Sequence, residues 1–235
     1  MAETEPVTMD RDREKISAPL SDILDWSVSI LLVFFGLLLT PGGFILNRAT
    51  DRVTVAELVA EGIITSDGLT DAELIDVTYA FGWWGGLGLA VAGVLLAVLG
   101  TVYLVSRFQG NTRFGDAGRG MGDSALLGAI VSIVASAIPF SPVLGGGLAG
   151  FLTEGEEWEA TKTGALSGVV ASVPLVLVGA FVTVGLLTTG NSVVSFIGFV
   201  ILATIAVSIL YFTALSAIGG WIGARVAERW EKGNL

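Results

Sequence analysis

A short interruption in a hydrophobic stretch holds the residues of this chain best suited to chemistry. The run 125–152 is small and apolar, but Pro139-Phe140-Ser141-Pro142 and the triplet Gly145, Gly146, Gly147 cut it in the middle. Proline removes backbone donors and glycine permits a sharp reversal. Carbonyl oxygens between 138 and 147, with the Ser141 hydroxyl, could therefore coordinate an ion or small solute, as interrupted transporter helices do. Pro139, Ser141, Pro142, Gly145 and Gly146 are the candidates for such a break. The competing reading is a structural reversal only. The chain's lack of reactive groups favours that second reading, because it contains no His and no Cys. Thiol nucleophiles, disulfides and the usual near-neutral proton carrier are thereby excluded. A serine nucleophile would need a basic partner. The apolar runs hold no Asp, Glu or Lys, and intramembrane charges are the usual mark of ion and proton pathways. The expectation is a non-enzyme without cofactor or metal.

Two other segments are weaker candidates. Glycines 115, 118, 120 and 122 precede an apolar run, but a phosphate cradle needs a strand before it and often a Lys after it. Glu154, Glu156, Glu157 and Glu159 form an acidic loop without the alternation and turn of a calcium loop. Both read as solvated loops. No nucleic-acid partner is indicated.

Only 14% of the 235 residues are charged and mean hydropathy is +0.79, where a soluble domain carries about 25% charged residues. The expectation is an all-α integral membrane bundle with the lipid bilayer as its surroundings. Apolar runs long enough to cross a bilayer lie at about 26–46, 81–105, 164–187 and 193–226, the last spanning about 193–224 as a helix. Thr40-Pro41-Gly42-Gly43 should kink or end the first, and Pro19 could open it. Pro174 should kink the third. The fourth must tilt, project from the membrane or break near Gly219-Gly220. Trp83 and Trp84 have the position of a headgroup-level anchor. In the loop 47–80, Thr54 with Glu57 and Thr70 with Glu73 have capping-box spacing. The first pair predicts a short helix over 55–61, and the second a helix running directly into the next span. A tight turn is expected over 188–192.

The broken run decides topology. If it crosses the membrane, five transmembrane helices divide Lys and Arg six to six between the two sides. If it dips in and returns, ten of the twelve fall on one side. Cytoplasmic loops carry the Lys/Arg excess. Four transmembrane helices plus one re-entrant hairpin at 125–152, with both termini cytoplasmic, is therefore the expected architecture; five helices is the alternative. The corresponding organisation is a disordered acidic cytoplasmic tail (1–18) and a two-span unit (19–121) carrying an acidic extracellular loop (47–80). A second unit (122–235) holds the broken segment and the last two spans. The acidic start, with Glu3, Glu5, Asp10, Asp12 and Glu14, does not read as a signal peptide.

Small residues recur every four positions: Gly82, Gly86 and Ala90; Gly128, Ser132 and Ser136; Gly146 and Gly150; Gly164, Gly168 and Ser172; Ser216, Gly220 and Ala224. Such stripes let helix backbones approach closely. Gly82, Gly86, Gly164, Gly168, Ser216 and Gly220 are the candidate packing residues, within the chain or in a homo-oligomer joined through the last run.

Asp and Glu number 22 against 12 Lys plus Arg, and only Lys15, Lys162 and Lys232 are lysines. An acidic, lysine-poor surface is a solubility device of halophiles, so a salt-loving archaeal source is expected. Residues 122–229 carry Gly128-Ala129-Ile130-Val131-Ser132, Ile138-Pro139-Phe140-Ser141-Pro142-Val143-Leu144-Gly145-Gly146, Gly164-Ala165-Leu166-Ser167-Gly168 and Leu215-Ser216-Ala217-Ile218-Gly219-Gly220-Trp221-Ile222-Gly223-Ala224. This half of the chain resembles an uncharacterised haloarchaeal multi-pass membrane family. The resemblance implies a membrane location and supplies no activity. The function expected is that of a structural or accessory membrane protein acting through helix packing, as a homo-oligomer or with a membrane-protein partner. The alternative is a small channel or transporter using 138–147.

Overall fold

The computed structural model describes residues 9–108, 121–135, 138, 140–153, 156–231 and 233. These residues are helical, with no strand among them. In chain order they form α1 (Met9–Ala49), α2 (Arg52–Ala60), α3 (Asp71–Tyr79), a π-helical turn (Ala80–Trp84) and α4 (Gly85–Phe108). Then follow α5 (Met121–Val134), α6 (Ser141–Phe151), α7 (Glu157–Leu187) and α8 (Ser192–Glu231).

Four segments are long and apolar enough to cross a membrane: Ser29–Ala49, Asp71–Val105, Glu157–Leu187 and Ser192–Trp230. Each exceeds or meets the roughly 20 residues a bilayer requires. Trp26 precedes the Ser29–Ala49 span, Trp158 and Trp230 lie near the ends of α7 and α8, Trp221 lies in the C-terminal third of α8, and Trp83 and Trp84 sit in the π-helical turn. Trp26, Trp158, Trp221 and Trp230 mark one end of the bundle, and Trp83 and Trp84 the other. This is the placement of aromatic belts in a membrane-embedded protein.

α1 and α4 pack antiparallel, with Gly36 against Gly93 and Ala97, and Gly43 against Gly86 and Ala90. α7 and α8 also run antiparallel, with Gly164 beside Ser216 and Gly220 and Gly179 beside Ile205. α4 packs directly on α7, while α5 and α6 pack on the α7–α8 pair, with α5 also touching α1. Leu32, Leu96, Leu127 and Ile130 make one buried cluster joining α1, α4 and α5. A second cluster at the opposite end joins Ala80, Val182, Leu186 and Val194.

Local chemistry explains most boundaries. Thr70 caps α3 with a full capping box: Glu73 N donates to the Thr70 hydroxyl, and Thr70 N donates to the Glu73 carboxylate at 2.9 Å. As expected, α3 runs on into the span. Asn191 caps α8, accepting from Val193 N at 2.8 Å. The π-helical turn breaks the α-helical ladder, and the Trp83 carbonyl there accepts from Asn47 Nδ2 at 2.8 Å.

Several expectations need correction. α1 is assigned from Met9, so Pro19 lies inside the helix rather than opening it; residues 1–8 lie outside the described residues. Extending an existing helix avoids the nucleation cost of starting one. Pro41 neither ends α1 nor forces a boundary, because the bundle tolerates proline where side chains and neighbouring helices take up freed groups. There Thr40 Oγ1 donates to Gly36 O at 2.7 Å. Thr54 does not start α2. Asp51 does, accepting from Val53 N and Thr54 N at 2.8 and 2.9 Å, and the helix begins at Arg52. α7 passes through Pro174 unbroken, and α8 passes through Gly219-Gly220 as one helix of 40 residues. At 1.5 Å per residue α8 is about 60 Å long, so it must tilt or project.

Candidate functional site

The interrupted segment folds as a helical hairpin. α5 has 14 residues and α6 has 11, giving lengths of about 21 and 17 Å at 1.5 Å per residue. The two arms run antiparallel. Ser124 lies within 3.5 Å of the Leu152 carbonyl, Gly128 faces Gly145 and Ala149, and Ser132 faces Gly145. Ile133 near the tip lines a small apolar cavity with Pro174 of α7.

Short backbone bonds make the turn. Ala135 N donates to Val131 O at 2.9 Å, Ile138 N to Ala135 O at 2.7 Å and Ser141 N to Ile138 O at 3.2 Å. Phe140 precedes α6 with φ 67°, left-handed backbone that a bulky residue seldom adopts. Pro142 sits in the first turn of α6, where proline needs no donor.

Of the five residues proposed for the break, Pro139 lies outside the described residues. Ser141, Pro142, Gly145 and Gly146 are all buried in the first turns of α6. Their backbone is in contact with other helices. Ser216 Oγ donates to Pro142 O at 2.8 Å. A Cβ on Gly146 would overlap the Ser216 carbonyl, and one on Gly145 would overlap the Gly128 carbonyl and the Ser132 hydroxyl.

Five of the six candidate packing residues lie at close contacts between helices, and Gly82 meets the connection between α1 and α2. Gly82 abuts Thr50, and Gly86 abuts Asn47 and Gly43. Gly164 meets Ser216 and Gly220, and Gly168 meets Phe212 and Ser216. Gly220 touches Ala160 and Gly164 of α7, and a Cβ on Gly150 of α6 would run into it. The Ser216/Gly220 stripe therefore lies between α6 and α7 of the same chain. A four-residue spacing overlooks the residues joining α1 to α4. Gly36 opposes Gly93, Gly43 opposes Gly86, and Gly100 meets Leu32 and Val33, the glycines of each helix being spaced by seven. That is the period of a seam facing one partner helix.

Hydroxyls line the contact between hairpin, α7 and α8. Ser124, Ser132, Ser141, Thr163, Ser167, Ser172 and Ser216 are buried. Thr163, Ser167 and Ser172 donate to carbonyls of α7 itself, at 2.9, 2.8 and 2.7 Å. Among the described residues Ser132 Oγ, with Thr183 Oγ1 and Thr213 Oγ1, has no hydrogen-bond partner. Such a seam offers coordination by neutral oxygen and no acid–base chemistry, since it contains no ionisable side chain. Among the described residues no group of three or more His, Cys, Asp or Glu could hold a metal ion.

Charged groups gather at the two ends. Glu157 accepts from Trp221 Nε1 at 3.1 Å and from Arg225 Nε at 3.2 Å, tying α7 to α8. The Arg225 guanidinium lies 3.9 Å from the Trp221 ring centre. At the opposite end, the Thr54 hydroxyl and amide hold the Asp51 carboxyl below its ordinary value.

Residues 122–226, less than half of the chain, match the profile of a family of unknown function (DUF5518). The matched part comprises the hairpin, α7 and most of α8. No curated protein and no solved structure matches the chain.

Proposed function

We infer that the protein is a non-enzymatic structural or accessory component of the cell membrane that acts through helix packing. In this reading 125–152 is a re-entrant hairpin returning to the face it entered from, and both termini are cytoplasmic. One observation carries the reading. Around the Ser216–Pro142 hydrogen bond, Pro142, Gly146 and Gly150 are spent on contacts with α8, and Gly145 on contacts with Gly128 and Ser132 of α5. A segment built to release and rebind a solute would keep those atoms for the solute. The orientation is supported by the Lys/Arg excess on the side holding α7's start and α8's end. The acid-rich, lysine-poor composition supports a salt-loving archaeal source. Because the α8 stripe is occupied within the chain, a second copy or a membrane partner would dock on the outer helix faces.

The test is the mass of the intact protein, solubilised in concentrated salt and measured by light scattering. A homo-oligomer, or a stoichiometric complex with another membrane protein, is expected. A monodisperse monomer without a partner overturns the reading.

One observation favours a channel or transporter instead. The Ser132 hydroxyl is buried, has no hydrogen-bond partner among the described residues and lies against Gly145 at the break. Solute flux in proteoliposomes that falls with Ser132→Ala would support that reading. Absence of flux, or flux unchanged by the substitution, rejects it.

A further inference from the structure

The segment 47–80 carries seven acidic residues and two arginines, Arg48 and Arg52. Both arginines converge on one open cleft of about 470 Å³, where the end of α1 meets α2, α3 and the π-helical turn. Phe44, Asn47, Tyr79 and Trp83 line the same cleft.

The two cations are held differently. Arg52 pairs with the buried Asp76 of α3, which fixes its guanidinium at the cleft wall. Arg48 lies with its guanidinium 5.1 Å from the Phe44 ring centre. The other carboxylate in the cleft, Asp51, is committed to Val53 N, Thr54 N and the Thr54 hydroxyl. Asn47 is committed to the Trp83 carbonyl. Arg48 is therefore the charge in this cleft without a carboxylate to answer it among the described residues. An arginine fork suits a phosphate oxygen pair.

Depth supplies the second half of the argument. Tyr79 and Trp83 stack with centroids 6.0 Å apart, at the level where aromatic rings sit among headgroups. Phe44, one turn before Arg48 on α1, is more than half exposed, an open apolar ring beside the guanidinium. The cleft thus runs from an apolar wall to two guanidiniums over a short distance. Elsewhere this face repels anions, because its remaining charges are acidic.

We propose that this cleft binds the phosphodiester of an anionic membrane lipid, with Arg48 and Arg52 on the phosphate and the acyl chain along Phe44. A soluble phosphate offers the same chemistry without the chain. The full-length protein in detergent is titrated with phosphatidylglycerol, phosphatidylcholine and inorganic phosphate, and binding is read by native mass spectrometry and by thermal shift. Phosphatidylglycerol should bind, and Arg48→Gln should weaken it about tenfold, as expected for one lost charge-assisted contact. Arg225→Gln, at the other end of the bundle, should leave it unchanged. The lipid-free melting temperature of Arg48→Gln should match the parent, which separates lost binding from lost folding. Equal binding by Arg48→Gln overturns the proposal, as does equal binding of phosphatidylcholine. Displacement of the lipid by millimolar inorganic phosphate also overturns it, and makes the cleft a site for soluble anions.

Discussion

The Ser216 hydroxyl reaches the Pro142 carbonyl at 2.8 Å across 74 positions of sequence. It joins α8 to the first turn of α6, at the residue that disrupts the apolar run. A hydrogen bond between membrane helices contributes about 0.6 kcal/mol on average. Ser216→Ala should therefore lower stability by no more than about 1 kcal/mol and leave the fold intact. Unfolding in mixed detergent, compared with the parent, measures it.

The backbone contact beside that bond is worth more than the bond itself. Gly146 and Gly147 are neighbours on α6, yet only Gly146 is pressed against the Ser216 backbone. A Cβ on Gly147 would meet nothing closer than the Gly219 carbonyl at 3.6 Å, an ordinary contact. Gly146→Ala should cost about 1–3 kcal/mol by overpacking, and Gly147→Ala should be near neutral. Equal losses in the same unfolding assay would mean that α6 and α8 are not in this register.

Phe140 carries the turn in left-handed backbone, with its ring exposed. A non-glycine residue there is strained by roughly 1–2 kcal/mol. Phe140→Gly should recover part of that strain and raise the melting temperature, whereas Phe140→Val, β-branched, should lower it. A decrease for both would show that the Phe140 ring, rather than the backbone, secures the hairpin tip.

Asp51 has its pKa lowered by the Thr54 hydroxyl and amide. The folded state therefore binds the Asp51 proton less readily than the unfolded chain does. Its stabilising contribution is present above the ordinary aspartate pKa of about 3.9 and is lost as pH falls through the lower folded value. Protection of the Val53 and Thr54 amides from hydrogen exchange, referenced to intrinsic rates, should be lost as pH falls below the ordinary aspartate value of about 3.9 and through the lower folded one. Asp51→Asn should remove that step, because its side-chain oxygen still caps but does not titrate.

Much of the fold was legible because the signals are local. The Thr70–Glu73 box and the run into the next span follow from residues three positions apart. The start of α2 was not, because Asp51 and Thr54 are both competent caps three positions apart. Asp51 takes both free amides, and the Thr54 hydroxyl bonds to Asp51 instead. Pro41 reads as a terminus in any scale built for water, yet α1 continues through it because α4 packs alongside. Of the glycines in the α1–α4 seam, the four-residue template found Gly86 but passed over Gly36, Gly43, Gly93 and Gly100, because that pair meets every seven residues. The contacts of the break were invisible for a different reason. Nothing near Pro142 announces that its partner is Ser216, and only the folded bundle brings them together.

The central claim is that 125–152 enters and leaves by one face, which puts the start of α7 opposite the loop 47–80. Asp67→Cys, Glu156→Cys and Gly233→Cys can be made singly in a chain with no cysteine of its own and labelled in intact cells with a membrane-impermeant maleimide. The account predicts that Asp67→Cys reacts in intact cells, while Glu156→Cys and Gly233→Cys react only after lysis. Reaction of all three from outside would contradict it, and would make the segment a fifth crossing.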